Sequence, residues 1–169
     1  MVRILADRVG ALDRAWLVVL SRLAAPGWLD RLLRGLTHAG GARATIGFSL
    51  LLLALPGTRA LGAATALANL ASHLAVQALK RSVVRRRPHL YGDFDPLAAV
   101  PDAFSFPSGH TAAITAVVFP PILAGHPLGL VLLPLVPVVA VSRVYLRVHY
   151  LTDVLAGFVL GLAGALLFT

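Results

Sequence analysis

His149 and Asp153 stand four residues apart in "SRVYLRVHYLTD" (Ser142–Asp153), a polar stretch between the apolar runs "VLLPLVPVVAV" and "VLAGFVLGLAGALL". At that spacing a carboxylate can hold one imidazole nitrogen and leave the other free. A nucleophile or a general base is oriented in this way. Arg143, in the same stretch, carries a planar guanidinium able to clamp a phosphate through two parallel hydrogen bonds. Such groups at the edge of an apolar run are costly unless water, a partner or function keeps them there. A metal site is the poorer reading, because only two histidines lie in the polar clusters, among up to three cations. No metal and no cofactor is expected.

Two further clusters carry chemistry. In "KRSVVRRRP" (Lys80–Pro88) the cations Lys80 and Arg87 are seven residues apart. A helix carrying both presents them on one side, and Pro88 would end that helix just after the second. Arg81, Arg85 and Arg86 are read as contacts to lipid headgroups. Upstream, Asn69, His73 and Gln77 follow a four-residue period, which predicts a polar stripe turned into a bundle. In "SFPSGHTAA" (Ser105–Ala113), Pro107, Ser108 and Gly109 read as a helix N-terminus. Ser108 is placed to cap it and Gly109 leaves the backbone amides open, so this end offers N–H donors and a positive dipole to an anion. His110 falls in the first turn, within reach of an anion held there. Lys80, Arg87, Arg143, the Ser108–Gly109 helix end and two histidines together suit phosphoryl transfer. The cations spread over the oxygens, one histidine attacks, and the other protonates the leaving oxygen.

The elements that must position these groups are apolar. Of 169 residues, 58% are hydrophobic and 13% charged, and mean hydropathy is +0.83. Soluble domains carry about a quarter charged residues, so lipid is the main solvent implied. Cutting at the charges gives candidate spans near 43–57, 59–80, 109–125, 127–142 and 152–169. The predicted fold is therefore all-α: an integral-membrane bundle of about five transmembrane helices forming one domain. Residues 43–169 form its core. Residues 1–42 form an interfacial segment whose apolar positions, from Leu12, Trp16 and Val19 through Leu23 to Trp28, Leu32 and Leu36, recur at three and four and break at Pro26-Gly27. Gly157, Gly161 and Gly164 offer the last span a close-packing face. Antiparallel crossings bring the ends bearing Lys80, "PSGH", Ser142-Arg143 and His149-Asp153 to one face, so topology alone gathers the three clusters. The absence of cysteine excludes disulfides and thiolate metal sites. A net charge of +8, interleaved with apolar spans, argues for membrane lipids and a phosphorylated lipid as partners, not nucleic acid. The oligomeric state is not specified.

The three clusters read K-x(6)-R-P, P-S-G-H and S-R-x(5)-H-x(3)-D. Together they resemble the signature of the type 2 phosphatidic acid phosphatase superfamily. The resemblance implies a metal-independent lipid phosphatase of the membrane in which His149 is the nucleophile forming a phosphohistidine, Asp153 orients it and His110 is the general acid. Lys80, Arg87, Ser108, Gly109 and Arg143 would bind the phosphate. The substrate would be a polyprenyl phosphate or diphosphate, phosphatidylglycerol phosphate, phosphatidic acid or a phosphorylated polyprenyl sugar. Vanadate-dependent haloperoxidases share the signature but are large and soluble. A non-catalytic protein binding anionic lipid would not need His110 or the His149/Asp153 pair. Ten arginines near the site face (Arg3, Arg8, Arg14, Arg22, Arg31, Arg34, Arg43, Arg81, Arg85 and Arg86) against Arg59 on the other favour a cytoplasmic active site. The short lid "HLYGDFDPLAAVPDAFSF", with Tyr91, Phe94, Phe104 and Phe106, suits a single headgroup entering sideways from the bilayer.

Overall fold

The computed structural model describes residues 10–19, 26–88, 96–98 and 102–169. Leu23, Tyr91, Phe94, Arg3, Arg8 and Arg22 lie outside the described residues. Helix α1 runs over residues 10–19. Then follow α2 (Gly27–Leu36), a 3-10 turn (Thr37–Gly40), α3 (Ala42–Ala54), α4 (Arg59–Ser82), α5 (Gly109–Leu123), α6 (Pro127–Leu132), α7 (Leu135–Tyr145) and α8 (Leu151–Leu167). Among the described residues there is no strand, only an isolated antiparallel bridge between Arg86 and Phe104.

Small residues set the packing. A Cβ on Gly157 or Gly161 would collide with the carbonyl oxygens of Ser108 or Ala112, and one on Gly164 would lie 2.7 Å from that of Ala68. The predicted glycine face of α8 therefore lies against α5 and α4. Gly62 brings α4 onto the backbone of α3 in the same way. The turn between α5 and α6 uses Gly125 at φ 66°, where an L side chain would be strained. The interior is mixed: Ile114, Val118, Val136 and Val139 form an apolar cluster, while Thr45, Ser49, Thr65, Ser72 and Thr115 are buried too. These hydroxyls bond to carbonyls of the preceding helical turn, as Ser49 does to Thr45 at 3.0 Å and Thr115 to Thr111 at 2.8 Å. Leu50, Leu70, Leu74, Leu130, Val131, Val159 and Leu166 face outward. Small and hydroxyl residues inside with leucines outside is the arrangement lipid favours, since tails are as apolar as leucine.

Pro127–Tyr145, 19 residues, is long and apolar enough to cross a membrane by itself; α3 and α4 qualify only as a pair bent by 112°, and α5 and α8 are shorter apolar helices. The helices begin within a few residues of the predicted spans, but four expectations change. α4 ends at Ser82, so Arg87 does not share a helix with Lys80. The chain leaves the helix at Val83 in extended geometry, because Arg86 pairs with Phe104 and Arg85 is drawn to carboxylates. Ser108 is the N-cap of α5 but makes no capping bond with its side chain; the hydroxyl pairs with Thr111 at 3.0 Å. The Asn69–His73–Gln77 stripe is not turned wholly inward. Asn69 donates to Thr45 of α3 at 3.2 Å, but His73 is exposed. Finally, α1 and α2 do more than lie on a surface. Leu17 is buried with Val144 and Val154, and Leu29 and Leu33 pack against Tyr145, Leu146 and Val148.

Candidate active site

The chain end of α4, the start of α5, the end of α7 and the start of α8 meet at one end of the bundle. Ser108 N donates to Asp153 O at 2.9 Å, which ties the α5 N-terminus to the first turn of α8. Arg87 crosses between them almost fully buried. Its Nη1 donates to Val148 O at 2.8 Å and lies 3.2 Å from His149 Nε2. Its Nε and Nη2 donate to the backbone and side chain of Asp102 at 2.7 and 2.9 Å. Lys80 Nζ reaches the other oxygen of Asp102 at 2.7 Å. One carboxylate thus bridges the two cations that the sequence pattern paired. Burial raises the Asp102 pKa, but its bonds to Lys80 and Arg87 outweigh this and hold the group below the usual carboxylate range.

The His149–Arg87 contact fixes a tautomer. A guanidinium only donates, so Nε2 accepts and the proton resides on Nδ1, which faces Asp153 Oδ2 at 3.6 Å. That distance is too long for a hydrogen bond, and Nδ1 has no partner among the described residues. Catalytic hydrogen bonds are often long before a ligand is bound. Burial first, then Arg143 and Arg87, overcome the opposing pull of Asp153 and lower His149 to a pKa of about 4. The imidazole is therefore a free base at neutral pH.

Asp153 is held through both carboxylate oxygens. Tyr150 N donates to Oδ2 at 2.8 Å, and Arg85 Nη1 donates to Oδ1 at 2.7 Å. Arg85 also donates through Nη1 to the Thr152 hydroxyl at 2.7 Å and through Nη2 to Asp13 at 2.5 Å. It lies 4.1 Å over the Tyr150 ring. Asp13, on α1, accepts from Thr152 N at 3.1 Å as well. The expectation that Arg85 serves lipid headgroups is thereby corrected: its planar group is committed to two buried carboxylates. Arg81 and Arg86 are exposed, as that expectation required.

Arg143 is buried. Its Nη1 donates to Thr37 of the 3-10 turn at 3.1 Å, while its Nε has no partner among the described residues. A buried guanidinium N–H left unpaired beside a second buried guanidinium is a place for an anion. His110 lies beside the same turn. A Cβ on Gly40 would lie 2.6 Å from His110 O, and one on Gly41 would lie 3.9 Å from His110 Nε2. A Cβ on Gly109 would meet only Val76, at 3.8 Å, so no internal packing demands that glycine and space remains beside the helix end. The structure thus brings together Lys80, Arg87, Ser108, Gly109, His110, Arg143, His149 and Asp153. Sequence reasoning missed Asp13, Thr37 and Asp102. Only Asp102 left a faint signal, as a lone acid beside "SFPSGH". Among the described residues no group of three or more His, Cys, Asp or Glu could hold a metal ion.

The PAP2 superfamily model matches residues 57–169. The chain belongs to the PAP2 superfamily. It is 34% identical over 154 residues to phosphatidylglycerophosphatase B of Bacillus subtilis, a match covering 80% of this chain and 71% of that protein. It is 37% identical over 137 residues to decaprenylphosphoryl-5-phosphoribose phosphatase of Mycobacterium tuberculosis, covering 76% of this chain and 72% of that one. Among solved structures, the transmembrane PAP2-type phosphatidylglycerolphosphate phosphatase of Bacillus subtilis superposes with a TM-score of 0.81 at 29% identity, covering 96% of this chain and 85% of the other. Aquifex aeolicus LpxE gives 0.78 at 20% identity, covering 92% and 93%, a likeness of fold. This PAP2 protein is an enzyme of the phosphatase type and a membrane protein.

Proposed function

We propose that this PAP2 enzyme removes phosphate from a lipid headgroup by way of a phosphohistidine on His149. The observation that carries the reading is the orientation of His149: Nε2 is turned to Arg87 at 3.2 Å, and the protonated Nδ1 to Asp153. A phosphate drawn to Arg87, Arg143, Lys80 and the α5 amides displaces the Arg87–Nε2 contact and meets the Nε2 lone pair. Nε2 bonds to phosphorus as the ester P–O bond breaks, and His110 gives its proton to the departing oxygen. Asp153 stabilises the charge that forms on the ring. In the second half His110 takes a proton from water, water oxygen bonds to phosphorus, and the P–N bond breaks to release inorganic phosphate. The negative charge on the phosphoryl oxygens falls on protein cations and on the helix end. The sequence supplies this chemistry without a metal.

The substrate class rests on the relatives, whose names describe phosphatases of a phosphatidylglycerol phosphate and a decaprenyl-linked ribose phosphate. Residues 1–169 act as one domain, with α3, α4, α5, the α6–α7 pair and α8 crossing the bilayer and all site-bearing ends on one face. The arginine bias assigns that face to the cytoplasm. Inorganic phosphate release from lipid phosphates in detergent tests the reading: wild type turns over and a folded His149→Ala enzyme does not. Undiminished turnover by His149→Ala removes the nucleophile assignment.

A further inference from the structure

A groove of about 370 Å³ runs down the outside of the α3–α4 pair, lined by Ala42, Thr45, Ser49, Asn69 and His73, with Ile46, Leu50 and Leu70 among its apolar walls. Its upper end is fixed by sequence neighbours. Ala42 follows Gly41, whose Cβ position lies 3.9 Å from His110 Nε2. From Ala42 to Leu50 a helix rises roughly 12 Å. The groove therefore starts under His110 and descends toward the middle of the apolar belt.

Its walls are mostly apolar, and its accessible polar groups, Asn69 and His73, stand one turn apart on α4, unusual for a lipid-facing surface; Thr45 and Ser49 beside them are buried. Thr45 Oγ1 accepts from Asn69 Nδ2 at 3.2 Å and donates to Gly41 O at 3.2 Å. Ser49 donates to Thr45 O at 3.0 Å. Among the described residues the Asn69 side chain bonds only Thr45, and His73 stands exposed on the groove. A partly paired amide and an exposed imidazole facing hydrocarbon are costly, and a ligand with hydrogen-bonding groups relieves that cost. A second groove, of about 270 Å³, lies beneath Trp16 between α7 and α8 and is lined by Val141, Val144, Val154 and Leu155. Among the described residues its lining exposes no polar surface.

In-line displacement sends the leaving oxygen away from the nucleophile. With His149 at the start of α8 and His110 as acid, the leaving group departs on the His110 side, toward the α3–α4 groove and not the apolar one. We infer that the α3–α4 groove binds the polar linker between the scissile phosphate and the lipid tail. The enzyme's substrates are then lipids whose phosphate is joined to hydrocarbon through ester, amide or hydroxyl groups, not lipids whose phosphate sits directly on an isoprenoid chain. This rests on the assignment of His110 as the acid.

The test compares kcat/KM on phosphatidate, which carries a glycerol diester, with that on a polyprenyl monophosphate of similar hydrocarbon mass in the same mixed micelles. Wild type favours phosphatidate. In His73→Leu and, separately, Asn69→Leu, the ratio of the two values falls, by roughly 2–10-fold for each hydrogen bond lost. Because the ratio is taken within one preparation, partial misfolding cancels. A ratio within twofold of wild type in both variants overturns the inference, as does a wild type that prefers the polyprenyl phosphate. Failure of the underlying acid assignment shows elsewhere, as a His110→Ala rate loss that does not grow with leaving-group pKa.

Discussion

Removing the Arg85 side chain isolates the part of the site that the structure adds to the sequence. Arg85→Gln breaks the bond to Asp153 Oδ1 at 2.7 Å and the bond to Asp13 at 2.5 Å. The two carboxylates have side chains 0% and 1% exposed, while that of Arg85 is 23% exposed. Breaking a buried pair by deleting one partner costs about 3–5 kcal/mol. The partial exposure of Arg85 lets water replace some of this, so about 3 kcal/mol of stability is expected to be lost. Catalysis suffers separately. A hydrogen bond to a charged group contributes about 1.5–3 kcal/mol, and each 1.36 kcal/mol is about tenfold in rate. If the bond is what holds Asp153 toward His149, kcat falls roughly 10–100-fold. Arg85→Lys retains the charge but cannot fork across Thr152, Asp13 and Asp153, so it falls between the two. Phosphate release and thermal melting in detergent measure both effects, and Asp13→Asn in combination with Arg85→Gln gives their coupling. An Arg85→Gln enzyme with wild-type kcat and melting temperature refutes the network and returns Arg85 to the lipid surface.

Three other predictions follow from the site. His110→Ala slows turnover by about 10²–10⁴-fold for alkyl leaving groups, and much less for an aryl phosphate whose leaving oxygen needs no proton; equal losses on both refute an acid role. Asp102→Asn frees Lys80 and Arg87 from the carboxylate that bridges them, so vanadate and inorganic phosphate inhibit several-fold more tightly in steady-state assays; weaker inhibition means that Asp102 instead holds the cations in place. His149, lowered from 6.5 to about 4, stabilises the fold fully above pH about 6.5 and loses that contribution as pH falls through 4. Melting temperature between pH 7 and 4 should accordingly drop more for wild type than for His149→Gln, and parallel curves contradict the assignment.

Much of this site could be read from spacing. His149 and Asp153 are one helical turn apart, and the antiparallel run of apolar segments carried "KRSVVRRRP", "SFPSGH" and "SRVYLRVHYLTD" to one end. The glycines of α8 were legible because small residues recurring at four and three have a plain packing meaning. What escaped was long-range pairing. Nothing in an isolated Arg85 distinguishes it from its exposed neighbours Arg81 and Arg86; its partner Asp13 lies 72 residues away on a helix read as surface-bound. The helix end at Ser82 was missed for a related reason. Pro88 marked an obvious stop, but Val83 and Val84 leave the helix earlier, under the pull of Phe104 on Arg86 and of Asp153 on Arg85. Asp102 is hard to read from sequence because an acid in a phosphate site makes sense only beside the two cations that it bridges.

The most direct test of the central claim is chemical trapping. Wild-type enzyme mixed briefly with ³²P-labelled lipid phosphate and quenched in alkali should carry label that survives base, is lost in acid, and maps to the peptide containing His149. The His149→Ala enzyme should carry none. Equal labelling of both enzymes, or label recovered on another residue, contradicts a phosphohistidine at His149.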